Sequence, residues 1–384
     1  MQLSKLWMKN RFLCWILAFA ISSCSVVINQ PTLVTPASPL ESIPTVAPSP
    51  ASTLGPSIVT KTQIPTIWAP LKLSGRLVYI HHTLVDSVFS SQVQILNLVT
   101  GELTTIFDAP KDSQLYYLTV SPDNSQLLMT YSSSSRDHPV NQGIYSMPLD
   151  GSQPPRLLFT PPTKEDDYTE VEWSPDGKYI YFTHVNHDIP LETGQVYPLY
   201  EIYRMAFPNG QPEKIAEKAY WPRLSPDSSS IVYVSVDLFS LQNKLYVADA
   251  NGRNAREVIL TSALPPDIMD APLFSPDGQS ILFSAPVALQ SYQPNWIDKL
   301  MGVRIAKAHS NITSDWWSVP VHGGSITQLT NIQSSDLFAS YAPDNKYIAS
   351  YSSDGIFVMY PDGSELMMLI PTLQAIPGTV RWIP

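Results

Sequence analysis

The sequence predicts an all-β protein, a six-bladed β-propeller built from four-stranded antiparallel blades. A hinge motif recurs at intervals of roughly 50 to 67 residues, and each of the same units carries a second tight-turn signal. In addition, the C-terminal segment matches the one strand that the first unit lacks. Periods of this size, filled with short strands, are typical of propeller blades.

The hinge motif is an apolar residue followed by Ser or Ala, Pro, Asp and then polar or Gly residues. Proline presets φ for the first central position of a turn, and aspartate can accept hydrogen bonds from neighbouring backbone. The β-branched or aromatic run that follows suits a pleated, buried strand. The five copies are Val120–Asp123, Trp173–Gly177, Leu224–Asp227, Phe274–Gly278 and Tyr341–Asn345.

A dipeptide typical of tight hairpins appears later in each unit. Both of its positions tolerate positive φ, as such hairpins require. Each unit is therefore predicted to contain strands A to D, with the hinge between A and B and the hairpin between C and D. The dipeptides are Asp150-Gly151, Asn209-Gly210, Asn251-Gly252, Gly323-Gly324 and Asp362-Gly363.

A sixth unit at Arg76–Phe107 has no hinge motif and lacks strand A. Val380–Pro384 mirrors Val171–Pro175, so we expect the C-terminal strand to complete this first blade. Such closure removes open sheet edges. The blade count stays open by one, because the long unit between the fourth and fifth hinges could hold an extra strand pair.

The Ser-Pro-Asp-Gly hinge and the Asp-Gly hairpin resemble the WD40-like, PD40-type repeats of TolB-like propellers. Repeats of this kind also precede the catalytic domains of prolyl oligopeptidases. The resemblance covers Leu71 to Pro384. It implies a propeller that binds partner proteins at the cell envelope, and no functional residue of the family maps onto this chain.

The N-terminus has the pattern of a lipoprotein signal peptide. Basic residues precede an apolar run at 12–21, which is too short for a spanning helix. Ile21–Cys24 resembles the lipobox, in which the cysteine is acylated and the chain is cut before it. We predict a signal peptide at 1–23 and lipidation of Cys24. The alternative is ordinary signal cleavage, which leaves Cys24 as a free thiol.

Residues 24–70 are predicted to form a tether, because they are rich in Pro, Ser, Thr and Ala and carry few large apolar side chains. Such a segment cannot bury enough surface to offset its ordering entropy, and its prolines favour extended chain. The propeller domain is then predicted at 71–384. Together these features predict an extracytoplasmic, membrane-anchored protein of the cell envelope.

Charge and motif content exclude several classes of function. The formal net charge of -10 argues against nucleic acid and against anionic lipid as binding partners of the protein surface. The sequence has no G-x-S-x-G, H-E-x-x-H, P-loop or G-x-G-x-x-G motif. A prolyl-oligopeptidase-like enzyme would also need an α/β-hydrolase domain. We therefore predict no catalytic residues and no cofactor.

Two groups of side chains could in principle bind a cation. His184, His187 and Asp188 are plausible metal ligands, but a site needs three or four convergent ligands and solvated loop histidines are the usual case. We predict no metal there. Carboxylates also gather in two connections from strand D to the next strand A, and we interpret them as solvated acidic runs. They are Glu165, Asp166, Asp167, Asp267 and Asp270.

Aligning the blades on the hinge places six residues at one strand A position, where they should pack between blades. They are Val120, Trp173, Leu224, Phe274, Tyr341 and Trp382. The preceding position holds Glu172 and Arg223 in adjacent blades, so these two side chains are predicted to pair. It also holds Thr119, Leu273, Ser340 and Arg381.

The connections from B to C and from D to A emerge on the same face, and the long ones are predicted to mark the working face. The longest, Pro286–Ser314, has the apolar spacing of a short amphipathic helix. The helix either lids the channel or contributes to an aromatic contact surface. The predicted contact residues are Tyr197, Tyr200, Phe239, Tyr292, Trp296 and Arg304.

These features lead to two functional hypotheses. The first is a lipid-anchored, non-catalytic and monomeric propeller that binds a protein or peptide partner through its loop-rich face. The second is a carbohydrate or small-ligand sensor, or a lyase-like enzyme, acting at the mouth of the central channel. Convergent His, Asp and Arg side chains from several blades would favour the second. A plugged channel beneath an aromatic face would favour the first.

Overall fold

Six antiparallel sheets surround a central channel in the computed structural model of the chain, which confirms the predicted six-bladed propeller. The structure describes residues 59–85, 88–110, 113–133, 142–190, 196–237, 242–261, 269–286, 313–371 and 377–384. The signal peptide, Cys24 and the predicted helix in the longest insertion lie outside these residues. Within them, no helix has the length and apolar character needed to span a bilayer.

Blade one combines the two ends of the folded region. From the channel outwards its strands are β25 (Pro377–Ile383), β2 (Arg76–Val85), β3 (Val88–Asn97), β4 (Glu102–Asp108) and β1 (Thr60–Gln63). The innermost strand pairs with β2 so that Trp382 lies opposite Leu77. The Trp382 indole nitrogen donates a hydrogen bond to the Ser74 carbonyl at 2.9 Å. Closure of the ring by the C-terminal strand is therefore confirmed.

The other five blades each use four consecutive strands, A to D from the channel outwards. Blade two has β5 (Ser113–Val120), β6 (Gln126–Ser133), β7 (Gly143–Pro148) and β8 (Arg156–Phe159). Blade three has β9 (Asp167–Trp173), β10 (Tyr179–Pro190), β11 (Val196–Ala206) and β12 (Glu213–Glu217). Blade four has β13 (Ala219–Leu224), β14 (Ser230–Asp237), β15 (Gln242–Asp249) and β16 (Arg256–Glu257).

The last two blades follow the same order. Blade five has β17 (Asp270–Phe274), β18 (Ser280–Pro286), β19 (Ser314–Pro320) and β20 (Thr327–Gln328). Blade six has β21 (Phe338–Tyr341), β22 (Ile348–Ser352), β23 (Gly355–Met359) and β24 (Met367–Pro371). We call the side with the B–C and D–A connections the loop face, and the side with the hinges and C–D turns the hinge face.

The serine of the hinge organises the turn. In blade four the Ser225 hydroxyl donates to the Asp227 carboxylate at 2.6 Å and accepts the Ser230 backbone N–H at 2.9 Å. The residue after each hinge aspartate has a positive φ, between 57° and 71°. Glycine adopts this conformation readily and asparagine tolerates it. The same serine–aspartate bond occurs in blades two, three and five.

The folded region begins earlier than the predicted boundary at residue 70. Thr60–Gln63 pairs with β4 as a fifth strand of blade one, and a short 3-10 helix follows at Ala69–Leu71. Trp68 is 1% exposed, and its indole nitrogen donates to the Leu98 carbonyl at 2.7 Å. The polar composition of this segment predicted a tether instead of a strand. An edge strand can be polar on both faces, because backbone pairing is sufficient to hold it in the sheet.

Two predicted loops contain strand. In blade one, β2 and β3 continue as a ribbon through Val85 and Val88, inside one of the long B–C connections. In blade three, β10 and β11 extend to Pro190 and Val196 with a bulge between Asn186 and Ile189. Both extensions belong to B–C connections and therefore lie on the loop face.

The hinge of blade six offers a test, because it has Ala342 where four other hinges have serine. Ala342 is 3% exposed, as buried as those serines. We expect Ala342→Ser to restore two hydrogen bonds and to raise the free energy of unfolding by about 1 kcal/mol. Urea unfolding of the variant measures the gain. Ser225→Ala is the matched control and should lose a similar amount, whereas a destabilised Ala342→Ser would contradict this account of the hinge.

Candidate functional site at the channel

In five of the six blades, a bulge in strand A turns one residue towards the channel. The ladder between strands A and B shifts register in blades one to five, and in blades three to five the residue there has a positive φ. Bulges bend a strand and re-aim a side chain. On the hinge alignment the six residues are Thr379, Tyr117, Glu170, Trp221, Ala271 and Phe338, in blade order.

Three of these residues form an aromatic plug, which consists of Tyr117, Trp221 and Phe338. They come from blades two, four and six. The ring centroids of Tyr117 and Trp221 are 5.2 Å apart, those of Trp221 and Phe338 are 5.6 Å apart, and those of Tyr117 and Phe338 are 6.2 Å apart. Rings at these distances are in contact and leave no opening between them. The channel is closed at this level.

A group of tyrosines and carboxylates lies at the loop-face end of the channel. The mouth cluster, as we call it, comprises Glu170, Tyr200, Tyr220, Asn243 and Asp270. The Tyr220 hydroxyl donates to the Asp270 carboxylate at 2.8 Å and accepts the Asn243 side-chain amide at 2.9 Å. The rings of Tyr200 and Tyr220 are 5.4 Å apart. Three blades therefore contribute to one polar cluster.

Burial controls the charges in the mouth cluster. It raises the pKa of the Glu170 carboxyl, while hydrogen bonds from Thr183, Thr169 and Tyr117 act in the opposite direction. Burial, together with the nearby carboxylates, also raises the pKa values of the Tyr200 and Tyr220 hydroxyls above their usual range. The tyrosines stay neutral and serve as hydrogen-bond donors. Such a cluster can bind a polar or cationic group.

A channel ion trio lies on the hinge-face side, two residues further along strand A than the plug level. The Glu172 carboxylate lies 3.1 Å from the Arg223 guanidinium, so the predicted pair is confirmed. It also forms an ion pair with Arg381 of the closing strand. The Arg223 guanidinium lies over the Trp221 ring, 5.5 Å from its centroid. Burial lowers the pKa of Arg381 to about 10, which leaves it charged at neutral pH.

The histidines of blade three are held by carboxylates. His184 Nε2 lies 3.2 Å from Asp166, and its Nδ1 lies 3.6 Å from Glu201. These carboxylates are on opposite sides of the imidazole, so they cannot converge on one ion. His187 pairs with Asp167 at 3.0 Å. Among the described residues, no group of three or more His, Cys, Asp or Glu is placed to hold a metal ion.

The interpretation of Glu165–Asp167 as a solvated acidic run is wrong for its last two members. Asp166 is 3% exposed against His184, and Asp167 pairs with His187. The reason is that strand B of blade three continues past Thr183 and carries both histidines up against the D–A connection. Asp270 likewise belongs to the mouth cluster, whereas Asp267 lies outside the described residues.

The structure describes only some of the predicted contact residues. Tyr200 is half-buried in the mouth cluster. Tyr197 pairs with Ile189 in the β10–β11 ladder, and its side chain is outside the described part. Phe239, Tyr292, Trp296 and Arg304 also lie outside it. Sequence reasoning missed Glu170 and the aromatic plug, although the hinge alignment places all four at one position.

Comparison with known proteins shows the fold. No protein-family model and no curated protein sequence matches the chain. The structure of TolB from Acinetobacter baumannii is similar, with 17% identity, a TM-score of 0.56, and 81% of this chain and 67% of that chain covered. A putative TolB from Agrobacterium tumefaciens has 19% identity and a TM-score of 0.53, covering 77% and 98%. The chain thus has a TolB-like propeller fold.

The contacts of Glu201 with His184 and Lys214 in blade three predict a specific pH dependence. Burial alone would raise the pKa of Glu201, but its contacts with His184 and Lys214 lower it to about 2. In the unfolded chain it is about 4.3. Because the folded pKa is the lower one, ionised Glu201 stabilises the fold above about pH 4.3, and this contribution is lost as pH falls towards about 2.

We therefore expect Glu201→Gln to be less stable than the parent protein at neutral pH, by a few kcal/mol at most, and to lose less stability on acidification. Urea unfolding at a series of pH values between about 7 and 2.5 measures both. Glu213→Gln is the control, because the Glu213 side chain is 54% exposed. Parallel stability curves for the parent and Glu201→Gln would contradict the assignment.

Proposed function

We propose that this chain is a non-catalytic binding module, anchored to the cell envelope through lipid on Cys24, which holds a protein or peptide partner on its loop face. The observation that carries the proposal is the aromatic plug. Because the plug closes the channel directly below the mouth cluster, the loop face offers a surface rather than a deep cavity. Such a surface fits a macromolecular partner better than an enclosed substrate.

The chemistry of the mouth cluster suggests what such a partner presents. Two carboxylates and the neutral hydroxyls of Tyr200 and Tyr220 are gathered where the channel opens to the loop face. Aromatic rings beside carboxylates favour a basic side chain, through both cation–π and charge interactions. The net charge of -10 would also attract a basic partner.

A second function, the binding of a small polar ligand at the channel mouth, is also supported. Glu170 and Asp270 come from different blades and converge at the mouth, which also suits a small polar ligand such as a carbohydrate. The two functions differ in what is bound, and they can be separated with one set of variants.

The test is a crosslinking pull-down of the full-length protein from native membranes. We expect one protein to be captured by the intact chain, lost when Gln290–His309 is deleted, and reduced at least severalfold by Tyr220→Phe. The Tyr220 hydroxyl joins Asp270 to Asn243, so its loss should disorder the mouth cluster. Tyr347→Phe is the matched control, because its hydroxyl bonds to the Leu71 carbonyl away from this cluster.

Each outcome decides between the two functions, once far-UV circular dichroism shows that all variants fold. If both loop-face changes leave capture unaffected, the proposed binding face is wrong. The same holds if Tyr347→Phe abolishes capture as fully as Tyr220→Phe does. If no protein is captured and Tyr220→Phe instead weakens the binding of a sugar found in a small-ligand screen, the second function holds.

The anchor is tested separately by metabolic labelling with an alkyne fatty acid. We expect the intact chain to carry the label and Cys24→Ser to lose it entirely, because only this thiol is retained in the predicted mature chain. Cys14→Ser is the control and should keep the label. An unlabelled parent protein, or a label that survives Cys24→Ser, would contradict lipidation at this position.

A further inference from the structure

The channel ion trio carries more positive than negative charge. It brings the guanidinium groups of Arg223 and Arg381 onto the single carboxylate of Glu172. The side chains of Arg223 and Arg381 are only 6% and 13% exposed. A buried charge without a counter-charge is costly, because the low-dielectric interior replaces its hydration. The trio as it stands leaves one such charge.

A small cavity adjoins the two arginines. Its wall includes Arg223, Arg381, Thr379, Trp221 and Phe338, and no acidic side chain is part of it. It has room for one water-sized sphere. The cavity lies at the underside of the aromatic plug, because Trp221 and Phe338 belong to both.

Hydrogen-bond donors remain at this cavity. Each guanidinium has five N–H groups. Within the described residues those of Arg223 reach Glu172 and the Pro222 carbonyl, and those of Arg381 reach Glu172 and the Val380 carbonyl. Thr379 Oγ1 accepts the Leu118 backbone N–H at 2.7 Å, which leaves its own hydrogen to donate. Donors therefore exceed acceptors.

Glu170 is a second carboxylate that acts on Arg223 electrostatically, and it does not restore the balance. Its hydrogen-bond partners are Thr183, Thr169 and Tyr117, and it makes no hydrogen bond to either arginine. Its carboxylate accepts the Thr169 hydroxyl at 2.8 Å. It is not part of the cavity wall.

We propose that this cavity binds one chloride-sized monovalent anion between Arg223 and Arg381. The anion is the missing counter-charge of the trio and accepts the spare N–H groups and the Thr379 hydroxyl. Because Arg381 belongs to the closing strand β25 and Arg223 to blade four, the anion links the closure of the ring to the opposite side of the channel. This site is independent of the proposed partner on the loop face.

The test compares thermal unfolding of the full-length protein in sodium chloride and in sodium gluconate at equal ionic strength. Binding to the folded state alone raises the midpoint with ligand concentration. We expect chloride to raise it by about 2–4 °C relative to gluconate. The increment should disappear in Arg381→Gln and increase in Glu172→Gln, which removes the competing carboxylate. Arg253→Gln, an exposed site, should keep the increment of the parent.

A second measurement covers the case in which the channel variants fail to fold. Crystals of the parent protein grown in bromide should show an anomalous peak between the Arg223 and Arg381 guanidinium groups. Equal midpoints in chloride and gluconate would overturn the proposal. So would an ordered water without anomalous signal at that position, or an unchanged increment in a folded Glu172→Gln.

Discussion

The bulge in strand A is the constraint on which the centre of this propeller depends. A regular strand alternates its side chains between two faces, and the bulge turns one additional residue of a blade towards the axis. Three of the six residues at this level are aromatic and come from alternate blades, so their rings meet without crowding. The plug therefore depends on how the six blades are arranged around the axis, and no single blade forms it.

The plug divides the channel into two chemically different halves. Towards the loop face lie neutral tyrosines and carboxylates, and towards the hinge face lie two arginines around one glutamate. Trp221 belongs to both halves, because its ring packs in the plug and also lies beneath the Arg223 guanidinium. A ligand on the loop face and an anion below the plug would therefore occupy separate sites that share one aromatic layer.

Sequence reasoning was most accurate where a signal is local and repeated. The serine–aspartate hinge is a contact between residues two apart, so five aligned copies revealed the blades and the Glu172–Arg223 pair. It was least accurate where polar residues have unusual surroundings. Asp166 resembles a solvated loop residue, yet it is buried against His184 by a strand longer than predicted. Thr60–Gln63 resembles a tether, yet it pairs with β4 as the outer strand of blade one.

The sequence by itself determined the blade architecture to within one blade, the closing strand and the adjacency of Glu172 and Arg223, because each depends on patterns that repeat along the chain. Only the tertiary structure decided that Arg381 joins that pair, that Tyr117, Trp221 and Phe338 meet, and that Glu170 is buried beside them. The contacts of Arg381 with Glu172 and those within the plug join blades that are not neighbours along the chain. Their distances depend on the radius of the ring and on the bulges, which no single repeat encodes.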